Sequence, residues 1–322
     1  PLYLVLSWAF SRLPVGNLAW RVNLLSAVAA ALFVLLQCRL ARLLGASPAV
    51  AAAVALAAGF GPVLWSQATL AEVYSLAAAL LTGVLVALLA WGGGEPRRER
   101  GLLAATAVFA LALGHHLTIV FAAPACVLYA LVVDRRLALR PRVLLGALAL
   151  GLAGLSQYLL ILWRTRQGAA YLGSTARNLP ELFGVMRGAQ FGNRLFAYDL
   201  GTLVSQRVPL MARAIAAELG PAGLLLAVAG LVLLLRRRRP EGLLLGLGAL
   251  GVLAFALNYK VDDPKVFLVP VFALSWPLAA VGLQALCEAA AARTRLGSRL
   301  ALLALLLPAL QIGLHFKASD HS

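Results

Sequence analysis

This sequence is poor in charge. Only 12% of its 322 residues are Asp, Glu, Lys or Arg, and 12 acids stand against 28 Lys and Arg. Soluble domains are about a quarter charged and about half apolar, whereas this chain is 62% hydrophobic. A water-soluble fold of this size would lack the polar surface to cover itself, and disordered and collagen-like chains are excluded by the same figures. Cysteine is scarcer still: Cys38, Cys126 and Cys287 lie far apart in or beside apolar blocks. That leaves no disulfide framework and no zinc spacing, and the three read as buried structural thiols. No initiating methionine or charged n-region precedes Pro1, so the start is not a signal peptide. The chain reads as a fragment whose N-terminus lies upstream. There is no short-period repeat and no sign of an inverted one.

What is present is apolar sequence in blocks long enough to cross a bilayer, which takes about 20 residues per helix. Span-length candidates fall at about 18–44, 48–64, 70–91, 101–114, 117–133, 142–163, 221–235, 242–258, 266–287 and 299–315. Lipid leaves only helices or closed barrels, and the blocks lack the alternation of barrel strands. The expectation is an all-α polytopic transmembrane bundle of about ten spans plus interfacial helices. It forms one membrane domain over residues 1–316, and 317–322 begin an outer-side tail. Residues 1–13 are too short to span and suit the interface.

Arginine settles the expected sidedness. Sixteen arginines sit in five alternate connections, around 39–42, 97–100, 135–142, 236–239 and 293–299. The opposite short connections, 65–69, 114–116 and 258–265, hold only Lys260 and Lys265. Positive charge concentrates on cytoplasmic loops, so the first set is read as cytoplasmic and the formal charge of +16 as topology. No basic face is free of membrane, which argues against a nucleic-acid partner. One long outer connection, 164–220, reads as two amphipathic helices on the membrane. The first follows an Asn178/Glu181 capping pair around Pro180 and carries Leu179, Leu182, Phe183 and Met186. The second carries Val204, Val208, Met211, Ile215 and Leu219 and closes at Gly220-Pro221.

Ionisable residues are nearly absent at mid-depth, where each costs about 2.5–3.5 kcal/mol by insertion scales. Polar residues gather instead at the outer ends of the spans. The first cluster is Trp65-Ser66-Gln67-Ala68-Thr69-Leu70-Ala71-Glu72-Val73-Tyr74. On one helix, Ala68, Glu72 and Ser75 would stack, with Gln67 and Thr69 nearby. The Glu72 carboxylate could hold a metal, orient a hydroxyl or act as a base, or simply bond a neighbouring helix. The second cluster is Gly114-His115-His116-Leu117-Thr118. Adjacent helical residues point about 100° apart, so both histidines cannot ligate one metal without a bend. The third, Asn258 to Lys265 with Tyr259, Asp262 and Asp263, reads by itself as a solvated turn.

At these stretches the sequence resembles the GT-C superfamily of polytopic glycosyltransferases, which use polyprenyl-phosphate sugars. The branch it resembles is the bacterial relatives of the vertebrate endoplasmic-reticulum O-mannosyltransferase of plexin-type receptors. The likeness is carried by Pro1-Leu2-Tyr3, by Pro14 to Ala27, by Trp65-Ser66-Gln67 with Ala71-Glu72-Val73-Tyr74, and by Gly114 to Thr118. Weaker likeness lies in Arg187-Gly188-Ala189-Gln190-Phe191 and in Tyr259, Asp263, Phe267 and Pro270.

The resemblance implies inverting transfer of a sugar to a protein or glycan hydroxyl on the periplasmic face of a bacterial inner membrane. The principal base is expected upstream of Pro1, so the fragment alone is expected to be inactive. Glu72 would be a second acid, for acceptor or divalent metal. His115 or His116 would contact the donor phosphate, and Tyr259 and Asp263 would line the rim, with Gln67, Tyr74 and Gln190 also on substrate. Phe191 stands where the family has a tyrosine, and Asp262 doubles the acid. The rivals are a lipid-linked glycan transporter or flippase, which would line a mid-membrane path with polar residues, and a non-catalytic scaffold.

Overall fold

A computed structural model of the protein describes residues 1–94, 99–170, 172–293 and 304–319. The described chain is helical throughout, with one isolated antiparallel bridge between Leu195 and Tyr259. The helices are α1 (Leu2–Ser11), α2 (Leu18–Leu43), α3 (Pro48–Gly59), α4 (Pro62–Thr69), α5 (Tyr74–Gly93), α6 (Glu99–His115), α7 (Ala123–Val133), α8 (Pro141–Leu155), α9 (Leu159–Arg166), α10 (Leu179–Met186), α11 (Leu200–Thr202), α12 (Val208–Arg237), α13 (Arg239–Asn258), α14 (Val269–Ala291) and α15 (Leu306–Ser319).

Local chemistry explains the starts. The Asn17, Ser47 and Asn178 side chains each accept a backbone N–H of the first turn, and Pro48, Pro62 and Pro141 occupy first-turn positions that need no N–H partner. The Asn178/Glu181 pair closes reciprocally, with Glu181 accepting from the Arg177 N–H at 2.8 Å.

Among the described residues, six helical stretches are long and apolar enough to cross a membrane. A seventh arises if α3 and α4, bent by 65°, form one broken span. The protein is therefore a multi-pass membrane protein, with fewer full-length spans than the ten apolar blocks suggest. The 101–114 block becomes the 17-residue α6, and 117–133 splits into a 3₁₀ turn and the 11-residue α7. The last block is described only from residue 304.

α14 is the central helix, with 78% of its apolar window buried. The α8–α9 window is 11% buried and turns Leu145, Leu148 and Leu152 outward. α12 and α14 approach backbone to backbone: a Cβ on Gly230 would strike the Leu278 carbonyl, and one on Gly282 the Leu226 carbonyl. Small residues at such crossings are how helices associate in lipid.

The arginine-bearing ends meet. Arg238 donates to the Leu43 carbonyl at 3.0 Å, Gln284 accepts from the Ser47 N–H at 2.9 Å, and Arg140 pairs with Asp134 at 3.0 Å. Arg97, Arg98, Arg295 and Arg299 lie outside the described residues.

The 164–220 connection departs from expectation in its second half. α10 lies at the surface as expected, with Leu182 packed beside Tyr158, Leu162 and Ala176, and with Leu179 and Phe183 exposed. The second stripe is split: Val204 and Val208 are exposed, whereas Met211 and Leu219 are fully buried inside the first half of α12. α12 continues past a break at Gly220, whose φ of +66° suits glycine, and the whole 200–237 stretch counts as one span candidate.

Candidate active site at one end of the bundle

α4 does not run on into α5. Leu70 is extended, with φ −114° and ψ 154°, and Glu72 sits in the turn between the two helices. Ala68, Glu72 and Ser75 therefore do not stack as they would on one helix. The reason lies in side chains that take over the lost backbone partners. The Ser26 hydroxyl accepts from the Glu72 N–H at 3.2 Å and donates to the Glu72 carbonyl at 3.1 Å, and the Tyr3 hydroxyl lies 3.1 Å from it. The Ser75 hydroxyl donates to the Gln67 carbonyl at 3.0 Å. With its backbone clamped, Glu72 turns its carboxylate outward, exposed and free of any hydrogen bond or ion pair among the described residues.

The two histidines diverge where α6 ends. His116 is extended, with φ −144° and ψ 119°. His115 is buried, and its Nε2 donates to the Val73 carbonyl at 3.0 Å, while Nδ1 is buried without a partner. His116 Nδ1 lies 2.6 Å from the Thr118 hydroxyl. Its ring stands 5.5 Å from Tyr74 and 6.3 Å from Phe267.

Phe267 joins the clusters. Its ring is 5.8 Å from Tyr74 and 5.0 Å from Tyr259, both edge-on. Tyr74 also lies within electrostatic reach of Glu72, Asp263 and Tyr259. The third cluster is thus not a free turn. The Tyr259 carbonyl accepts from Arg207 at 3.1 Å, the Lys260 N–H donates to the Arg194 carbonyl at 2.9 Å, and Phe191 meets the Tyr259 ring edge-on at 6.4 Å. Burial raises the Tyr259 hydroxyl above the usual tyrosine range, and Arg194, which hydrogen-bonds it, pulls it back.

Tyr74, His116, Phe267 and Tyr259 therefore come together, with Glu72 and Asp263 within electrostatic reach of Tyr74. Gln67 is buried away from solvent, with Nε2 on the Ser66 hydroxyl at 3.3 Å and Oε1 unpartnered. Gln190 is exposed and makes no side-chain hydrogen bond, and its neighbour Phe191 makes the contact instead. Among the described residues, no three His, Cys, Asp or Glu side chains gather to hold a metal ion, and this includes Glu72.

Two charged residues escaped the sequence reading. Arg207 is buried and donates to the Ala256, Leu257 and Tyr259 carbonyls at 2.8, 3.2 and 3.1 Å, capping the end of α13. Glu218 is fully buried and accepts the Val63 N–H at 2.8 Å. Both flank the stripe through Met211 and Ile215. A charge at each end of an apolar stripe was the available signal.

This all-α polytopic bundle, with its polar residues at one end, shares its fold with solved structures. Residues 1–138 match the family model described as the protein O-mannosyl-transferase TMEM260 N-terminal domain. The structure is similar to ArnT from Cupriavidus metallidurans bound to undecaprenyl phosphate, with a TM-score of 0.63 and 19% identity over 88% of this chain and 49% of that one. It is also similar to the apo state of the same protein, with a TM-score of 0.59 and 19% identity over 91% of this chain and 52% of that one. The chain spans about half the length of these structures. No curated protein matches it.

Proposed function

We propose that this chain is the membrane domain, residues 1–316, of a glycosyltransferase that moves a sugar from a polyprenyl-phosphate donor to a hydroxyl on a protein or glycan. The observation that carries the reading is the meeting of three sequence-distant polar segments around Tyr74 and Phe267 at one end of a GT-C bundle. The ArnT structure bound to undecaprenyl phosphate supports the donor class, and the O-mannosyl-transferase model over residues 1–138 supports hydroxyl acceptors. The concentration of arginine in five alternate short connections supports placing this site on the side away from the cytoplasm, which in a bacterial inner membrane is the periplasm.

The reaction forms one bond and breaks one. The acceptor oxygen, losing its proton to a carboxylate, attacks the anomeric carbon, and the bond from that carbon to the phosphate oxygen breaks. The lipid phosphate leaves with the electron pair. Inversion follows from attack opposite the leaving group. Glu72, exposed and unpaired, orients the acceptor hydroxyl as a second acid. His116, joined to Thr118, faces the donor phosphate, and His115 holds the Val73 carbonyl behind it. Tyr74, Tyr259 and Asp263 form the rim, with Gln190 at its edge. No step is assigned to a metal ion.

A flippase would need polar side chains open to a path through the bundle. Gln37 instead spends its amide on the Thr82 hydroxyl at 3.1 Å and the Ala273 carbonyl at 2.9 Å. The test uses the protein expressed from its whole reading frame, reconstituted with a radiolabelled polyprenyl-phosphate hexose. Transfer yields free polyprenyl phosphate and labelled acceptor. Label that crosses the bilayer still attached to lipid would overturn the proposal in favour of transport.

A further inference from the structure

Glu218 is the most deeply buried acid among the described residues, and the reaction above does not use it. It lies in α12, two residues before the Gly220 break, yet its carboxylate serves another helix. α4 begins at Gly61-Pro62 with no side-chain cap of its own. The first N–H groups of a helix need acceptors and favour an anion, and Glu218 Oε2 takes the Val63 N–H at 2.8 Å. Gly61 leaves the space: a Cβ there would run into Glu218 Oε1. That oxygen is buried without a partner. A third helix closes the arrangement, as buried Gln311 of α15 donates to the Glu218 carbonyl at 2.9 Å. Trp65 of α4 then packs edge-on against Phe60 at 5.0 Å and Phe316 at 6.3 Å.

We propose that Glu218 is a positioning residue: by capping α4 from α12 it sets the tilt of that short helix, and so where the following turn presents Glu72 beside Tyr74. α4 has only eight residues between the cap and the turn, so a change of tilt at Val63 is carried to Leu70 with little chance of being absorbed. The link to turnover rests on the proposed sugar transfer, but the tilt itself can be read without it.

The experiment uses the whole reading frame in lipid nanodiscs, with the other cysteines removed and a single cysteine placed by Thr69→Cys at the end of α4, or by Ala197→Cys in the outer connection as control. Maleimide labelling rates are compared for Glu218→Ala, Glu218→Gln and Gly61→Ala. Glu218→Ala is expected to speed labelling at position 69 by about tenfold and to leave position 197 unchanged, a size set by the loss of one helix cap. Glu218→Gln retains an acceptor for Val63 and stays within about threefold of the parent. Gly61→Ala, which drives the carboxylate away, follows Glu218→Ala. If Glu218→Ala does not assemble, Gly61→Ala decides. In the transfer assay, kcat falls about tenfold in Glu218→Ala while the donor KM holds within about threefold. Equal rates at position 69 in parent and variants, or a rise at both positions, would overturn the proposal. A parent that transfers no sugar would remove the proposed function, and the labelling result would still stand.

Discussion

Glu72 and Glu218 stand at opposite ends of the same short helix. Glu218 caps the start of α4 from α12, fully buried and bonded to Val63, while Glu72 follows its end, exposed and unpaired, with only its backbone held by Ser26. A buried acid is retained where a backbone donor would otherwise be orphaned. An exposed acid on a clamped backbone is free to meet a ligand. On the proposed function the pair separates holding the scaffold from doing chemistry, and the contrast can be broken at several points.

The largest expected effect is on stability at Glu218. Replacing it with alanine orphans the Val63 N–H and lowers the unfolding free energy by about 1–3 kcal/mol, whereas Glu72→Ala stays within about 0.5 kcal/mol. Thermal unfolding in detergent reads both, and equal losses would erase the distinction. Arg207→Ala comes next, at about 2 kcal/mol, because three carbonyls at the end of α13 lose one charged donor.

The histidines sharpen the contrast at smaller scale. His116→Ala is expected to slow sugar transfer about tenfold with unfolding shifted by less than about 1 kcal/mol. His115→Ala reverses the weighting, since its bond to the Val73 carbonyl is internal. A common response would show that the two are not divided in role. The smallest effects belong to the rim: Gln190→Ala and Phe191→Tyr are each expected to change turnover by no more than about twofold.

Much of the bundle was legible because lipid leaves helices few alternatives. Apolar blocks marked α2, α5, α8–α9, α13 and α14, and Asn178 with Glu181 marked the start of α10. The departures share a cause: interactions between segments distant in sequence. The turn that presents Glu72 is held by Ser26, 46 residues away, which the local spacing of Ala68, Glu72 and Ser75 does not reveal. The stripe from Val204 to Leu219 has the same spacing whether it faces lipid or protein, and only packing buried Met211 and Leu219. At the site, Tyr74, His116, Tyr259 and Asp263 could be picked out as polar residues at span ends, but the Phe267 ring that joins them is apolar and stood out only through the weaker family likeness. Gln67 looked like a ligand and is a buried amide.

The most direct test of the account is Glu72→Gln in the protein from its whole reading frame, assayed for transfer from a polyprenyl-phosphate sugar. The substitution keeps size and backbone contacts and removes only the charge. Because acid–base groups contribute about 10²–10⁴-fold, kcat is predicted to fall by about a hundredfold with unfolding unchanged. Turnover equal to that of the parent would contradict the account and take Glu72 out of the site.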